Sequence, residues 1–455
     1  MNTNIKLLIA TCLAAASAAP ALAQASYSGY YLDNYTHRYQ LNPAMTDESR
    51  NGFVAMPILG NMNIGMHGNL HVSSLVYNVD GKTVLFTHPD VPESKVMKNI
   101  HKSNELGASL NMDLIAFGFK AFGGWNGLTV STVADATIGA PGSLFSLLKE
   151  GVENRTYDIS DFGMSGTAYA KIQLNHAREI KQVPGLKVGA AAKVLLGFAN
   201  VDGYFNKADL TLGQDTWTAR TQADLYVNIA HAKFTYDSDD NGQRYVDGID
   251  MDNIGLGGFG IGFDLGATYK WRDFEFNLAL IDLGFINWSN TLLATTDGVH
   301  QISTSDYTFG VEEGEADATW DKMKEDIEQL YQLQDGGDIG SRTRSLRTTL
   351  NWGVRYTLPY YRRLTFGMVN STRFNGQFTT TDFRFSANVN PVDCLSASAN
   401  FVAGTYGVGF GWLLNLNVKG FNLFFGMDRT LGRLSKEFVP LNSNAELNFG
   451  MNFPF

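Results

Sequence analysis

Apolar and polar residues trade places one by one along this chain, over runs too long for an ordinary strand. From 162 to 175, Phe162, Met164, Ala168, Ala170, Ile172 and Leu174 oppose Ser165, Thr167, Tyr169, Lys171, Gln173 and Asn175. From 186 to 196, Leu186, Val188, Ala190, Ala192, Val194 and Leu196 oppose Lys187 and Lys193. The same period returns around 62–72, 346–356 and 408–418. It closes the chain in "AELNFGMNFPF", where Ala445, Leu447, Phe449, Met451, Phe453 and Phe455 alternate with Glu446, Asn448, Gly450, Asn452 and Pro454. A period of two is the signature of a strand with unlike faces.

A water-soluble sandwich also alternates, but its strands run about 5–6 residues. The runs here reach about 10–15, long enough to cross a bilayer at a tilt and continue past it. Gly, Ser, Thr and Asn dominate the polar parity, as suits the inside of a barrel better than a water-facing surface. Trp271, Trp288, Tyr356, Tyr360, Tyr361 and Trp412 read as interfacial girdle residues near strand ends. Tight turns are expected around Arg272-Asp273, Pro359 and Gly420, and long polar connectors near 200–216, 235–258, 289–305, 311–343 and 428–444. The pattern predicts an all-β transmembrane antiparallel barrel of about fourteen to sixteen strands, an even number being expected of bacterial barrels. A greasy alternating strand at the chain terminus resembles the signal that hands such barrels to their assembly machinery, here Phe449, Met451, Phe453 and Phe455. It also closes the sheet edge, which lipid cannot satisfy.

Two stretches carry helical spacing instead. One is the short helix at 142–151, with Leu144, Leu147 and Leu148 on one face; the other is an amphipathic loop helix at 316–335, with Trp320, Met323, Ile327, Leu330 and Tyr331.

Residues 1–23 read as a secretory signal peptide: Lys6, a short apolar run, and Ala21-Leu22-Ala23 as the small-x-small cleavage pattern. Of the two cysteines, Cys12 lies in this leader, so Cys394 cannot form an internal disulfide. The net charge of −10 argues against nucleic acid as a partner.

Motifs for chemistry are sparse. The glycines of "GLGGFGIGFDLG" (255–266) precede a strand pattern, whereas dinucleotide binding requires a helix there. "DSDDNGQRYVDG" supplies Asp237, Asp239, Asn241 and Asp247 as oxygen donors around Gly242, half of a calcium loop without its closing bidentate Glu. No G-x-S-x-G, H-E-x-x-H or C-x-x-C occurs, and the eight His are scattered. The chain is therefore read as a non-enzyme without a cofactor, calcium being the one candidate ion. Asp264 and Asp282, set in apolar surroundings, are expected to cap a bend or bond across the lumen.

"YYLDNYTHRYQLNPAM" (30–45), "GFVAMPILGNMNIG" (52–65), "GFDLGATYKW" (262–271) and "ALIDLGFINW" (279–288) resemble an uncharacterised family of Bacteroidota outer-membrane proteins. That family is itself similar to FadL-type transporters of hydrophobic compounds. The resemblance implies an N-terminal hatch at 24–50 carrying the motif Asn42, Pro43 and Ala44, and a barrel of about fourteen strands over 51–455. It implies a place in the outer membrane among its lipids, and a porin-like binding or uptake channel for a hydrophobic small molecule. That molecule would partition into an apolar pocket and leave through the barrel wall. A second reading is a protein partner in secretion or surface assembly, like the type IX shuttle barrels; a third, an outer-membrane hydrolase, has the least support.

Overall fold

The computed structural model describes residues 26–47, 50–150, 155–212, 216–238, 242, 244–251, 255–303, 332–430 and 444–455. The signal peptide and the loop helix, apart from its last four residues, lie outside them, as do Asp239 and Asn241.

Fourteen antiparallel wall strands close into a barrel. The first is interrupted, as β1 (Gly52–Ala55) and β2 (Met62–Gly68). Outside the wall, β3 (Val76–Val79) and β4 (Lys82–Leu85) form a hairpin. The wall continues through β5 (Ser103–Ala121), β6 (Gly124–Pro141), β8 (Gly163–Glu179), β9 (Leu186–Leu212), β13 (Gly258–Trp271) and β14 (Phe274–Trp288). The eighth strand is again interrupted, as β17 (Arg342–Ser345) and β18 (Thr349–Thr357). Then come β19 (Leu364–Arg373), β20 (Thr380–Val392), β21 (Leu395–Gly404), β22 (Gly407–Val418), β23 (Phe421–Arg429) and β24 (Ala445–Pro454). Closure is made by β24 against both halves of the first strand, with Val54 opposite Phe453 and Ile64 opposite Leu447.

Alternation sets the two faces. Phe259, Ile261, Phe263 and Leu265 of β13 and Phe274, Phe276 and Leu278 of β14 are exposed, as an apolar belt must be. Asn351, Asn415, Asn448 and Asn452 are buried inside. Phe455, 61% exposed, ends the chain on the outer face, and Asn51 and Gly52 donate to its carbonyl. Turns on that side are short, such as Phe122-Gly123 and Arg272-Asp273, with φ of 55° at Phe122 and 56° at Arg272. Long connections gather at the opposite end, so short turns mark the periplasmic side and long loops the outside.

Several expectations change. The connectors near 200–216 and 289–305 are largely strand: β9 runs on to Leu212 and pairs there with β7 (Arg155–Asp158) and β10 (Thr216–Ile229). In turn β15 (Leu292–Ser303) pairs with β10 and with β16 (Gln334–Asp338), so Gln334 and Asp335, at the end of the expected loop helix, are strand. Their alternation fades because a strand standing beyond the bilayer has no lipid on either face. Within 235–258, β11 (Lys233–Ser238) and β12 (Arg244–Asp250) form another hairpin. Trp288 belongs to no girdle; it is buried with Tyr169, Leu195 and Ile286. The cause is a bulge in β14, where Ile281 and Asp282 stand opposite Asp264 alone, with Asp282 at φ 58°. One extra residue exchanges the two faces, so Ile286 and Trp288 turn inward.

The helix Gly142–Glu150 forms as expected, and Phe145 packs on Leu70, Tyr77, Phe86, Val91 and Val96. This small outer core over 69–102 includes the helix Glu93–Met97.

Candidate functional site: the stoppered lumen

Residues 26–47 run through the barrel interior as two short 3-10 turns, Tyr27–Gly29 and Thr36–Gln40, joined by tight bends. Nearly every side chain here is buried, and Tyr30, Tyr31, Leu32, Tyr35, Tyr39 and Leu41 are almost fully so. A segment of this kind has no sheet ladder of its own, so the wall must satisfy its polar groups.

At one end, the Asp428 carboxylate accepts from Ser26 Oγ at 2.8 Å, Tyr27 N at 2.7 Å and Ser28 N at 2.6 Å. Bonds to a charged acceptor are the strong kind, about 1.5–3 kcal/mol each. The Tyr27 hydroxyl donates to Asn351 and accepts from Ser371 Oγ, reaching the outer half of the barrel. In the middle, Asp113 holds three polar groups on one carboxylate oxygen: Gln40 Nε2 at 2.8 Å, Asn61 Nδ2 at 3.1 Å and His37 Nδ1 at 3.3 Å. Its other oxygen accepts from Ser131. Tyr35 stacks edge-on against Phe424, and burial pushes its hydroxyl pKa well above the usual tyrosine range.

Asn42 and Pro43 form a bend seated against the wall at β8, β9, β13 and β14. The Asn42 carbonyl side chain accepts from Ala44 N at 3.0 Å, an Asx turn made from the motif itself. Its amide points to the carbonyls of Ala267 and Leu278 at 3.4 Å each, and Asn175 Nδ2 approaches the Pro43 carbonyl at 3.4 Å. Two wall glycines make room: a Cβ on Gly266 would overlap Asn42 Oδ1, and one on Gly189 would overlap the Pro43 backbone.

Below this bend Asp33 bridges Arg38 at 2.9 Å and Arg355 at 2.7 Å, and Arg355 also holds Glu275 at 2.8 Å. Enclosure alone would raise the Asp33 carboxyl, but Arg355 and Arg38 hold it well below the usual carboxylate range.

Asp264 and Asp282 are brought together by the wall itself. Lys193 Nζ on β9 lies 2.6 Å from Asp264 Oδ1 and 2.5 Å from Asp282 Oδ1, with all three side chains buried. Immediately beyond, the ladder between β14 and the eighth strand loosens. It pairs Ile281 with Thr349 and Phe285 with Ser345; between them Leu346 N donates to the Gly284 carbonyl and Thr348 Oγ1 to the Asp282 carbonyl.

The stopper leaves space on both sides. A cavity of about 540 Å³ opens toward the periplasm, lined by Asp33, Arg38, Thr46, Lys187, Lys270 and Glu275 among others. Two smaller ones, of about 120 and 40 Å³, lie toward the outside. Charged, neutral polar and apolar side chains share the linings, which in this differ from the apolar pocket expected above. Arg347, Arg373, Arg384 and Arg429 meet there with Asp135 and Asp382, a grouping sequence reasoning missed because its members come from five separate stretches of the chain.

Of the calcium candidates within the described residues, Asp237 and Asp247 lie on β11 and β12, with Asp237 opposite Tyr245. Among the described residues no three His, Cys, Asp or Glu converge as a metal site. Leu447, Phe449 and Met451 line the outer face of β24 half-exposed, and Phe453 is exposed.

No curated protein matches the chain. Solved structures similar to it include a deletion mutant of the monoaromatic hydrocarbon channel TodX, at 10% identity and TM-score 0.46, over 96% of this chain and 97% of that one. The toluene transporter TodX of Pseudomonas putida aligns at 8% identity and TM-score 0.40, over 95% and 94%. A Pseudomonas aeruginosa FadL homologue aligns at 10% and 0.38, over 96% and 98%. A family model matches residues 43–428, from the Pro43 bend to the Asp428 that anchors the stopper, and the chain therefore belongs to DUF5723, a family of unknown function.

Proposed function

We propose that this protein is a gated outer-membrane channel, non-enzymatic and free of cofactors, that binds and takes up a small hydrophobic or amphiphilic molecule. The supporting observation is the stopper: residues 26–47 fill the lumen and leave a cavity on each side, with Tyr27 at the outer one and Asp33 at the periplasmic one. A permanently open pore has no use for a buried plug bonded to wall carboxylates. A molecule entering from outside meets the hatch. It then passes by displacing that segment or by leaving sideways where the ladder beside Asp282–Gly284 is loose. The exposed apolar belt supports a wall set in lipid, and on this reading the leader is removed on export and the C-terminal strand serves assembly.

The test is mass spectrometry of whatever co-purifies with the native barrel in mild detergent. A stoichiometric small molecule with apolar character is the expected result. An empty lumen accompanied by a stoichiometric protein partner would overturn the uptake reading and favour surface assembly.

A further inference from the structure

Three wall asparagines pass one direction of hydrogen bonding along the stopper to its centre. Asn415 Nδ2 on β22 donates to the Asn34 carbonyl at 3.0 Å, which leaves its Oδ1 to accept from Asn422 Nδ2 at 2.8 Å. Asn422 Nδ2 on β23 also donates to the Leu416 carbonyl at 3.2 Å, so its own Oδ1 accepts, from Asn452 Nδ2 at 3.4 Å and Thr36 Oγ1 at 3.5 Å. Asn452 on β24 therefore turns its Oδ1 to His37, whose Nε2 lies 3.0 Å away. A backbone carbonyl cannot donate, so these amides cannot be flipped, and His37 Nε2 must carry a hydrogen.

The other ring nitrogen faces a carboxylate. His37 Nδ1 is 3.3 Å from Asp113 Oδ2. That oxygen already accepts from Gln40 and Asn61, and Asp113 Oδ1 accepts from Ser131 Oγ. Asn61 Nδ2 also donates to Gln40 Oε1, which fixes the Gln40 amide with its nitrogen toward Asp113. Three donors around Asp113 hold it as a carboxylate. A neutral imidazole has one hydrogen, committed here to Asn452, and its Nδ1 would set a lone pair against an ionised oxygen. Both side chains are fully buried, so water cannot relieve that contact. The rings of Phe53 and Phe424 lie 5.7 Å from the His37 ring, and those of Tyr35 and Tyr39 lie 6.2 Å from it. Four aromatic rings around one small ring form a cage suited to a cation. Of the other charged groups, Lys171 on β8 acts on Asp113, and Asp428 on β23 acts on the Tyr35 hydroxyl.

We propose that His37 is an imidazolium ion-paired with Asp113, and that its proton is a latch seating the stopper against β5 and the closing strand β24. Loss of that proton turns the Nδ1 lone pair on Asp113 and empties the aromatic cage of charge. The cation seats the stopper and the neutral ring does not, so seating is lost as pH rises. Use of the latch as a gate rests on the uptake reading; the latch itself does not.

The experiment uses the full-length barrel in a non-ionic detergent, labelled with nitrogen-15 histidine. The His37 signals are those missing from His37→Gln. At about pH 6.5 both His37 ring nitrogens should show protonated shifts, whereas in Asp113→Asn one should show the bare shift. Proteinase K cleavage between residues 26 and 47, normalised to an unstructured peptide, should be at least tenfold faster at about pH 9 than at about pH 6.5. In His37→Gln and Asp113→Asn that dependence on pH should vanish. Heat-modifiable mobility shows whether each variant is still a folded barrel, and where one is not, the wild-type cleavage profile decides. A His37 ring bare on one nitrogen at about pH 6.5 overturns the ion pair, and wild-type cleavage independent of pH overturns the latch. A barrel that purifies without any small molecule yet shows both signatures would instead overturn uptake and leave the latch standing.

Discussion

Pro43 of the stopper lies so close to Gly189 of the wall that any side chain at 189 would overlap the Pro43 carbonyl carbon. The neighbouring Gly266 stands in the same relation to Asn42. Wall and stopper are thus fitted to each other at the motif, and the fit can be tested from either side.

Gly189→Ala should push the Asn42-Pro43 bend off the wall, because the obstacle is backbone and cannot turn away. Asn42→Ala removes the acceptor for Ala44 N, a loss of about 1 kcal/mol. Both variants should stay heat-modifiable, since no wall ladder bond is touched. Both should show faster proteolysis between residues 26 and 47 in the detergent-solubilised protein. Wild-type resistance in Gly189→Ala would mean that the bend is not seated where the structure places it.

Asp428 is the anchor at the other end. Asp428→Asn keeps the shape but removes the charge that three donors share. The backbone amides of Tyr27 and Ser28 should then exchange hydrogen at least tenfold faster, equivalent to about 1.4 kcal/mol of lost protection. Amides of Phe53 and Val54 in the wall should be unchanged, and a uniform increase across both regions would argue for general destabilisation instead.

Asp33 makes the seating pH-dependent. Its folded pKa is depressed by Arg355 and Arg38, so it binds its proton less readily in the native state than in the unfolded chain. The stabilisation is therefore complete above the ordinary carboxylate pKa of about 4 and is lost as pH falls below it toward the folded value. Protection of residues 26–47 from exchange should be flat from neutral pH down to about 5 and decline below about 4. Asp33→Asn should have lower protection at neutral pH and a shallower decline. An identical acid profile in the variant would assign the transition to other carboxylates.

The barrel was legible because lipid on one face and a polar lumen on the other impose opposite chemistry on successive residues. That is why Phe449, Met451 and Phe453 of β24 could be placed outward from sequence alone. Where this constraint lapses, so does the signal. The strand Thr216–Ile229 pairs with two neighbours above the membrane, yet neither of its faces meets lipid. Trp288 shows the opposite failure, a strong pattern inverted by one bulged residue at Asp282. The stopper motif was found by resemblance, while its anchors were not. Asp428 and Ser26 are joined across almost the whole chain, and no local spacing records such a pair. The same holds for Arg347 with Asp135.

The triad of Lys193, Asp264 and Asp282 gives the sharpest energetic test, because its three charges are buried at the bulge that reverses β14. Removing one partner leaves uncompensated charge in the lumen wall, which typically costs about 3–5 kcal/mol, whereas replacing all partners together is often close to neutral. Lys193→Met alone should therefore lower the unfolding midpoint of the barrel in guanidinium chloride strongly. Adding Asp264→Asn and Asp282→Asn to it should restore most of that loss, although the triple variant has fewer ionic contacts than the single. If instead the triple variant is less stable than Lys193→Met, the carboxylates contribute through bonds other than those to Lys193. The contact from Asp282 N to Asp264 Oδ1 at 2.8 Å, which fixes the bulge directly, would then be the one to examine.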